Sequence, residues 1–343
     1  MSVLNETGLK EKLRENPVGI FLIYGEEGYL KKAYTEKIIK KTVDDTFADF
    51  NFHKFDGKEC SLSEIYESVC AVPMMADTKC VLVKDFALDL LDKSGLEQLE
   101  TVLSDCPDYC ALIFAFSAYE PKGAGFNKAV KLFEKYGIAA KLDKKTPAEL
   151  IKMLESGAKK RGSGFERGAA AYLISCVGSD LNTLLNETEK VCAYADGEVK
   201  KSDIDAVCIK SLDAKVFDMI KDLIAGRFDG AFTKLSLLFE NREDEFQILG
   251  ALIAQYSDIY RAKAAVKSGG RAEDAAKYYN YAGKEFRLSN AARSASSLSF
   301  EDIGECIDIL CSADKTLKSS ALDKRLVLEQ TLVKLARVGR RYK

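Results

Sequence analysis

Five short apolar segments alternate with stretches of helical spacing in the first 140 residues of this chain. Leu30, Tyr34 and Ile38, which follow the first segment, lie four residues apart and so share one face of a helix. Strands that alternate with helices form βαβ crossovers, and these build a mostly parallel sheet. The five predicted strands are Gly19–Tyr24, Phe52–Phe55, Cys80–Val83, Ala111–Phe116 and Ile138–Leu142.

The strand pattern ends at Leu142, and the remainder of the chain is expected to be helical throughout. Thr146, Pro147 and Glu149 predict a helix start, because proline is favoured at the first helical position. Short helices are expected up to residue 208, and longer ones follow Asp213. Two short helices are predicted at Phe165–Val177 and Asp180–Tyr194, and a long one at Phe246–Val266.

This pattern predicts three domains. Residues 1–140 form an α/β domain with a parallel sheet, residues 141–210 a small helical domain, and residues 211–343 an all-α domain of longer helices.

A glycine turn, Gly25-Glu26-Glu27-Gly28, joins the first predicted strand to the helix after it. In an α/β domain this is the position of a phosphate-binding loop, which requires Gly-x-x-x-x-Gly-Lys-Ser/Thr. The sequence contains no Gly-Lys-Ser/Thr, and Glu26 and Glu27 place carboxylates where phosphate oxygens need backbone N–H groups and a lysine. We therefore interpret the turn as a degenerate P-loop that binds no nucleotide, and we expect no cofactor.

Composition indicates an ordinary soluble protein with more than one core. Of its 343 residues, 47% are hydrophobic and 30% charged, without an apolar membrane segment or an export signal, so we expect a cytoplasmic protein with no membrane contact. The ten cysteines include no C-x-x-C, and His53 is the single histidine. We therefore expect no metal site and interpret the cysteines as small hydrophobic residues.

Positive charge is concentrated late in the chain. Residues 261 to 293 contain eight basic side chains against three acidic ones, a balance that suits a nucleic-acid backbone or an acidic protein partner. A solvated helix face is the alternative. The basic residues are Arg261, Lys263, Lys267, Arg271, Lys277, Lys284, Arg287 and Arg293.

Short motifs in a fixed order extend over nearly the whole chain. They include Leu22-Ile-Tyr-Gly25-Glu-Glu, Asn51 to Gly57, Val72-Pro-Met-Met75, Lys79-Cys-Val-Leu-Val-Lys84, Val177-Gly-Ser-Asp-Leu181, Ile248-Leu-Gly-Ala-Leu252 and Ala313-Asp-Lys-Thr-Leu-Lys318. In this order and spacing they resemble the delta subunit family of the bacterial DNA polymerase III clamp loader. The degenerate P-loop of that family accounts for the turn at Gly25.

The resemblance implies an architecture and a role. The family has an AAA+ module, made of an α/β domain and a small helical lid, and then a helical collar that joins it to the ATPase subunits and the delta-prime subunit. Its members are non-catalytic parts of a DNA-directed DNA polymerase holoenzyme, which bind the sliding clamp (beta) and open its ring for loading onto primed DNA. The candidate contacts to DNA or to a neighbouring subunit are Arg261, Lys263, Lys267, Arg271 and Lys318.

The family also implies a clamp-binding site. A hydrophobic pair at the tip of a helix, just before the strand that corresponds to Cys80–Val83, enters the peptide-binding pocket of the clamp, and the matching residues here are Met74 and Met75 after Pro73. The family often has Leu-Phe or a similar aromatic pair, but flexible, polarisable methionine also adapts to a pocket on another protein. The alternative is that both methionines pack in their own core.

Two other functions are compatible with parts of the sequence: an atypical AAA+ nucleotidase, or a different clamp-loader subunit. A nucleotidase needs an acid that acts on Mg²⁺ and phosphate, and Asp85, after the third predicted strand, is the nearest candidate. Without Gly-Lys-Ser/Thr, Asp85 has no Mg²⁺·phosphate to act on. We therefore expect a non-catalytic clamp-binding subunit.

Overall fold

The computed structural model describes residues 3–15, 17–117, 120–281, 284–294 and 297–339. The chain divides into two compact units, residues 1–144 and 145–343.

The first unit is built around a parallel sheet. Its strands are β1 (Gly19–Tyr24), β2 (Phe52–Asp56), β3 (Lys79–Lys84), β4 (Cys110–Ala115) and β5 (Ile138–Lys141). Within the described residues these five strands pair in the order β2-β3-β4-β1-β5, and every neighbouring pair is parallel. They correspond to the five predicted segments, so the α/β fold class is confirmed.

Helices surround this sheet because its central strands β1, β3 and β4 are mostly apolar and buried, and must be covered. Leu30, Tyr34 and Ile38 are buried on α2, as their spacing predicted. The helices of this unit are α1 (Glu6–Glu15), α2 (Gly28–Thr42), α3 (Ala48–Asn51), α4 (Leu62–Cys70), α5 (Lys93–Ser104) and α6 (Gly123–Tyr136).

Helix α4 leads to the predicted clamp-binding residues, and its start is fixed by a capping box. The N–H of Glu64 donates to Oγ of Ser61 at 3.3 Å, and the N–H of Ser61 donates to the Glu64 carboxylate at 2.7 Å. Leu62, Ile65 and Val69 form the buried face of α4. The helix ends at Cys70, and the chain then crosses residues 71–78 before it enters β3.

The second unit begins with the helix that Thr146, Pro147 and Glu149 predicted. The N–H of Glu149 donates to Oγ1 of Thr146, and the Glu149 carboxylate accepts from the N–H of Thr146. Asp180 caps a later helix by accepting from the N–H of Thr183 at 2.8 Å. The helices in this part are α7 (Pro147–Lys160), α8 (Ala169–Val177), α9 (Leu181–Tyr194) and α10 (Lys201–Val207).

Two expectations for this part are wrong. The chain after Leu142 is not entirely helical, because β6 (Gly164–Phe165) and β7 (Glu198–Val199) form a small parallel pair. The helix predicted from Phe165 begins instead at Ala169, since Gly168 precedes it with a φ of +80°. Strands of two residues are too short to produce a recognisable period, which is why the sequence did not reveal them.

The remaining helices share one buried apolar cluster that extends from Val216 to Val338. They are α11 (Leu212–Ile224), α12 (Phe228–Glu240), α13 (Glu245–Lys267), α14 (Phe286–Ser294), α15 (Phe300–Ser319) and α16 (Lys324–Gly339). The long helix predicted at Phe246–Val266 is α13. Among the helices of the described residues, none combines the length and the apolar character that a membrane span requires.

Candidate functional site

The glycine turn after β1 packs against the backbone at the end of β5. The N–H of Glu27 donates to the carbonyl of Leu142 at 2.9 Å, and the N–H of Leu142 donates to the carbonyl of Tyr24 at 2.7 Å. Between these contacts Gly25 has a φ of +114°, a region that side-chain-bearing residues rarely adopt. The turn is therefore held closely by the chain itself.

The side chain of Glu27 lies at the N-terminus of α2. It is 2% exposed, and its Oε1 accepts from the N–H of Tyr29 at 3.2 Å, while Oε2 lies 3.5 Å from Nζ of Lys144. Glu26 and Gly28 are exposed. The N-terminus of a helix is where P-loops bind phosphate, so an anionic ligand here would meet the Glu27 carboxylate.

Two further charged residues lie near this turn. Burial lowers the pKa of Lys31 on α2, although the carboxylates of Glu120, Asp85 and Glu27 act against that shift. Asp85, the nearest candidate for a catalytic acid, accepts from the N–H and the hydroxyl of Ser117 at 2.7 and 2.6 Å. Asp85 therefore links the carboxyl ends of β3 and β4.

The methionine pair lies at the opposite edge of the sheet, because it precedes β3 whereas the glycine turn follows β1. Met74 is 52% exposed and Met75 is 78% exposed, so neither packs in the core of its unit. Pro73 is partly buried. The pair was expected at the tip of a helix. It lies instead in the connection between α4 and β3, which we call the methionine loop (residues 71–78).

Asn51, at the end of α3, holds the centre of the methionine loop. Its Oδ1 accepts from the N–H of Met74 at 2.7 Å, and its Nδ2 donates to the carbonyl of Met74 at 2.8 Å and to that of Phe47 at 3.2 Å. If the amide were flipped, its NH₂ group would face the N–H of Met74 and its oxygen would face two carbonyl oxygens. The hydrogen-bond network therefore fixes which atom of the carboxamide is oxygen and which is nitrogen. Asn51 is 1% exposed.

The two ends of the methionine loop are also fixed. Lys79 is buried, and its ammonium donates to the carbonyls of Ser68 and Ala71 at the end of α4. This burial lowers the pKa of Lys79. Tyr109 donates to the carbonyl of Cys70 at 3.1 Å, and Thr78 donates to that of Thr42 at 2.6 Å. The loop is thus tied to α2, α3 and the start of β3.

Asn51, Lys79 and Tyr109 were not predicted as site residues from the sequence. A lysine at the first position of an apolar strand was the one available signal, because a buried ammonium must find oxygen partners.

Two of the basic candidates are engaged within their own unit. The guanidinium of Arg261 lies 4.0 Å from the ring centre of Tyr279 and donates to the hydroxyl of Tyr281 at 3.0 Å. The ammonium of Lys263 donates to the carbonyl of Leu298. These contacts position both charges against protein groups.

Lys267 and Arg271 are exposed beyond them. The ammonium of Lys267, at the end of α13, lies 4.8 Å from the ring centre of Phe300, at the start of α15. The two helices are therefore antiparallel, and Lys318 lies near the far end of α15, roughly 27 Å from Phe300 along the helix axis. Lys318 forms an ion pair with Asp314 at 2.7 Å, and the structure does not bring it together with the other four candidates.

Two family models match separate parts of the chain, one in each half. The model described as DNA polymerase III, delta subunit, matches residues 21–154, and the model of the DNA polymerase III delta subunit, C-terminal domain, matches residues 213–335. The chain belongs to the DNA polymerase III delta subunit family. The resemblance that the sequence motifs indicated is therefore confirmed.

Individual relatives agree with this family. DNA polymerase III subunit delta of Bacillus subtilis is 23% identical over 323 residues, which covers 92% of each chain. The probable DNA polymerase III subunit delta of Aquifex aeolicus is 23% identical over 261 residues, or 73% of this chain and 72% of the relative. The solved structure of the Bacillus subtilis DNA clamp loader delta protein covers 96% of this chain and 99% of its own, with a TM-score of 0.67 and 23% identity, and it shares the fold.

Proposed function

We propose that this chain is the clamp-loader subunit that binds the sliding clamp and helps to open its ring for loading onto primed DNA. The observation that carries the proposal is the pair Met74 and Met75, exposed side by side on a loop whose backbone is fixed at three points. Membership of the delta subunit family supports the same role.

The surroundings of the pair suit a hydrophobic anchor with a polar rim. Val72, in the same loop, and Phe50, which precedes Asn51, are also exposed and add apolar area. Beside Met75 lies an open depression of about 580 Å³ lined by Lys41, Thr42, Val43, Asp44, Met75, Ala76, Asp77 and Thr78. Apolar residues surrounded by polar ones are typical of the centre of a protein interface.

Clamp opening requires no nucleotide chemistry from this chain. A ligand shifts an equilibrium only by binding one state more tightly than the other, so the chain must bind the open ring better than the closed ring. The Glu27 carboxylate at the N-terminus of α2 supports the proposal that this chain does not hydrolyse ATP.

We assign separate roles to three segments. Residues 1–140 bind the clamp, residues 141–210 form the lid, and residues 211–343 join the ATPase subunits and the delta-prime subunit in the cytoplasm. Exposed apolar residues on α13, on α16 and in the connection that precedes α16 support a subunit contact in the last segment; they are Phe246, Leu322, Leu326 and Val333. Lys267 and Arg271 are available for DNA phosphates or for an acidic subunit face.

The test is the affinity of a Met74→Ala/Met75→Ala double variant for the sliding clamp of the same organism, measured by surface plasmon resonance. Burial of each side chain contributes about 1.5–3 kcal/mol, so binding should weaken by about 100-fold or more. Thermal unfolding should change little, because both residues are exposed.

Leu90→Ala is the matched control. Leu90 is 78% exposed, as Met75 is, and belongs to the same unit, but it lies outside the methionine loop. This variant should bind the clamp as the wild type does. Equal affinity of the double variant and the wild type would remove the basis of the proposed function.

A further inference from the structure

We infer that Asn51 is a positioning residue for the methionine pair, which sets the loop in its binding conformation before the clamp arrives. This inference rests on the proposed function. It assigns to Asn51 no contact with the clamp, because its side chain is buried and bonds to Met74 and Phe47.

Asn51 fixes the backbone of Met74 before and after its Cα atom. The carboxamide of Asn51 bonds to the N–H and to the carbonyl of Met74, so it holds the peptide groups that precede and follow that residue. The additional bond from Asn51 to the carbonyl of Phe47 prevents the amide from turning with the loop. Met74 therefore cannot rotate about its backbone unless both bonds break.

The same contact also determines the conformation of Met75. Met75 has a φ of +53°, a left-handed conformation that is unfavourable for a side chain without local hydrogen-bonding groups. The Met74 carbonyl belongs to the peptide that enters Met75, and Asn51 fixes its direction. A strained residue persists only where the surrounding structure determines it, so release of Met74 should let Met75 relax to negative φ and turn its side chain away.

Lys79, Tyr109 and Thr78 tie the ends of the loop, and Asn51 ties its centre. A binding segment that is already ordered loses less conformational freedom on association. Asn51 should consequently contribute to clamp affinity through Met74 and Met75 alone.

A double-mutant cycle tests this dependence. Asn51→Ala should weaken clamp binding by about 10-fold in the wild-type background. In the Met74→Ala/Met75→Ala background the same change should cost less than about 2-fold, because the side chains that Asn51 positions have been removed. Hydrogen exchange of the Met74 amide should become faster in Asn51→Ala, since its acceptor is lost.

Ser61→Ala separates positioning from a general loss of stability. It removes the cap of α4, the helix that leads into the methionine loop, without touching Met74. It should lower the unfolding temperature and leave clamp affinity unchanged. If Asn51→Ala does not fold, Asn51→Ser serves in the same cycle, because its neutral hydroxyl is too short to bond both peptide groups of Met74.

The outcomes are distinguishable. Wild-type affinity of the Asn51 variants, or an equal loss in both backgrounds, would overturn the positioning role while the proposed function stands. Wild-type affinity of Met74→Ala/Met75→Ala would instead overturn the proposed function, and this inference with it.

Discussion

A Cβ atom on Gly25 would lie 2.5 Å from the carbonyl oxygen of Leu142. The turn after β1 is thus closed against the end of β5, and glycine is required at position 25 by this close approach and by its positive φ. A glycine that in a P-loop makes room for phosphate here makes room for the chain's own backbone.

Gly25→Ala should therefore destabilise the protein by about 2–4 kcal/mol, the cost of a strained φ together with a backbone displacement. Urea denaturation measures this difference. Gly28→Ala is the control, because a Cβ there would meet nothing within 4 Å and Gly28 begins helix α2. The control should be neutral or more stable than the wild type by up to about 1 kcal/mol. Equal effects of both variants would show that the contact with Leu142 is unimportant.

The isolated chain should not bind Mg·ATP. Glu27 already caps the N-terminus of α2, and the sequence contains no Gly-Lys-Ser/Thr to hold a phosphate and its Mg²⁺. Isothermal titration calorimetry should give no saturable heat at millimolar nucleotide. A dissociation constant in the micromolar range would instead favour the alternative interpretation, an atypical AAA+ nucleotidase.

The free energy of unfolding of the second unit should depend on pH through Asp222. Burial of Asp222 raises its pKa, but the ammonium of Lys234 and the guanidinium of Arg227 both donate to its carboxylate, Arg227 through two bonds of 2.6 and 2.9 Å. These hydrogen bonds outweigh burial and hold the pKa of Asp222 below its usual range. Because the folded-state pKa is below the unfolded one, this contribution is complete above the unfolded value, about 3.9, and is lost as pH falls through the folded value.

Asp222→Asn should consequently cost about 1–2 kcal/mol at pH 7, where the wild type keeps charged hydrogen bonds that the amide lacks. The difference between the two proteins should shrink as pH falls below about 4. Asp229→Asn, an exposed change at the start of α12, should stay within about 0.5 kcal/mol. Chemical denaturation at several pH values measures both, and a difference that stays constant with pH would contradict the ion-pair explanation.

The two compact units should divide the proposed contacts. Residues 1–144 should bind the clamp, because they contain Met74 and Met75, and residues 145–343 should associate with the ATPase subunits in size-exclusion chromatography. A first unit that assembled with the ATPase subunits by itself would reverse the proposed roles.

The sequence revealed the elements whose signal is local. Apolar runs and helical spacing predicted β1 to β5, α9 and α13, and the cap signal at Thr146 predicted the start of α7. The pair β6 and β7 was missed because two residues carry no period. The position of Met74 and Met75 before β3 was predicted, but not the loop that presents them.

The sequence alone determined the fold class, the family and the absence of a Gly-Lys-Ser/Thr motif, because each is recognised from local residue patterns and their order along the chain. The tertiary structure decided which distant residues meet. Asn51 precedes β2 and Met74 precedes β3, and they are joined because β2 and β3 are parallel neighbours whose amino ends lie at one edge of the sheet. The antiparallel packing of α13 and α15 likewise separates Lys318 from Lys267. Strand order and helix packing arise from the burial of many side chains together, so no local pattern specifies such contacts.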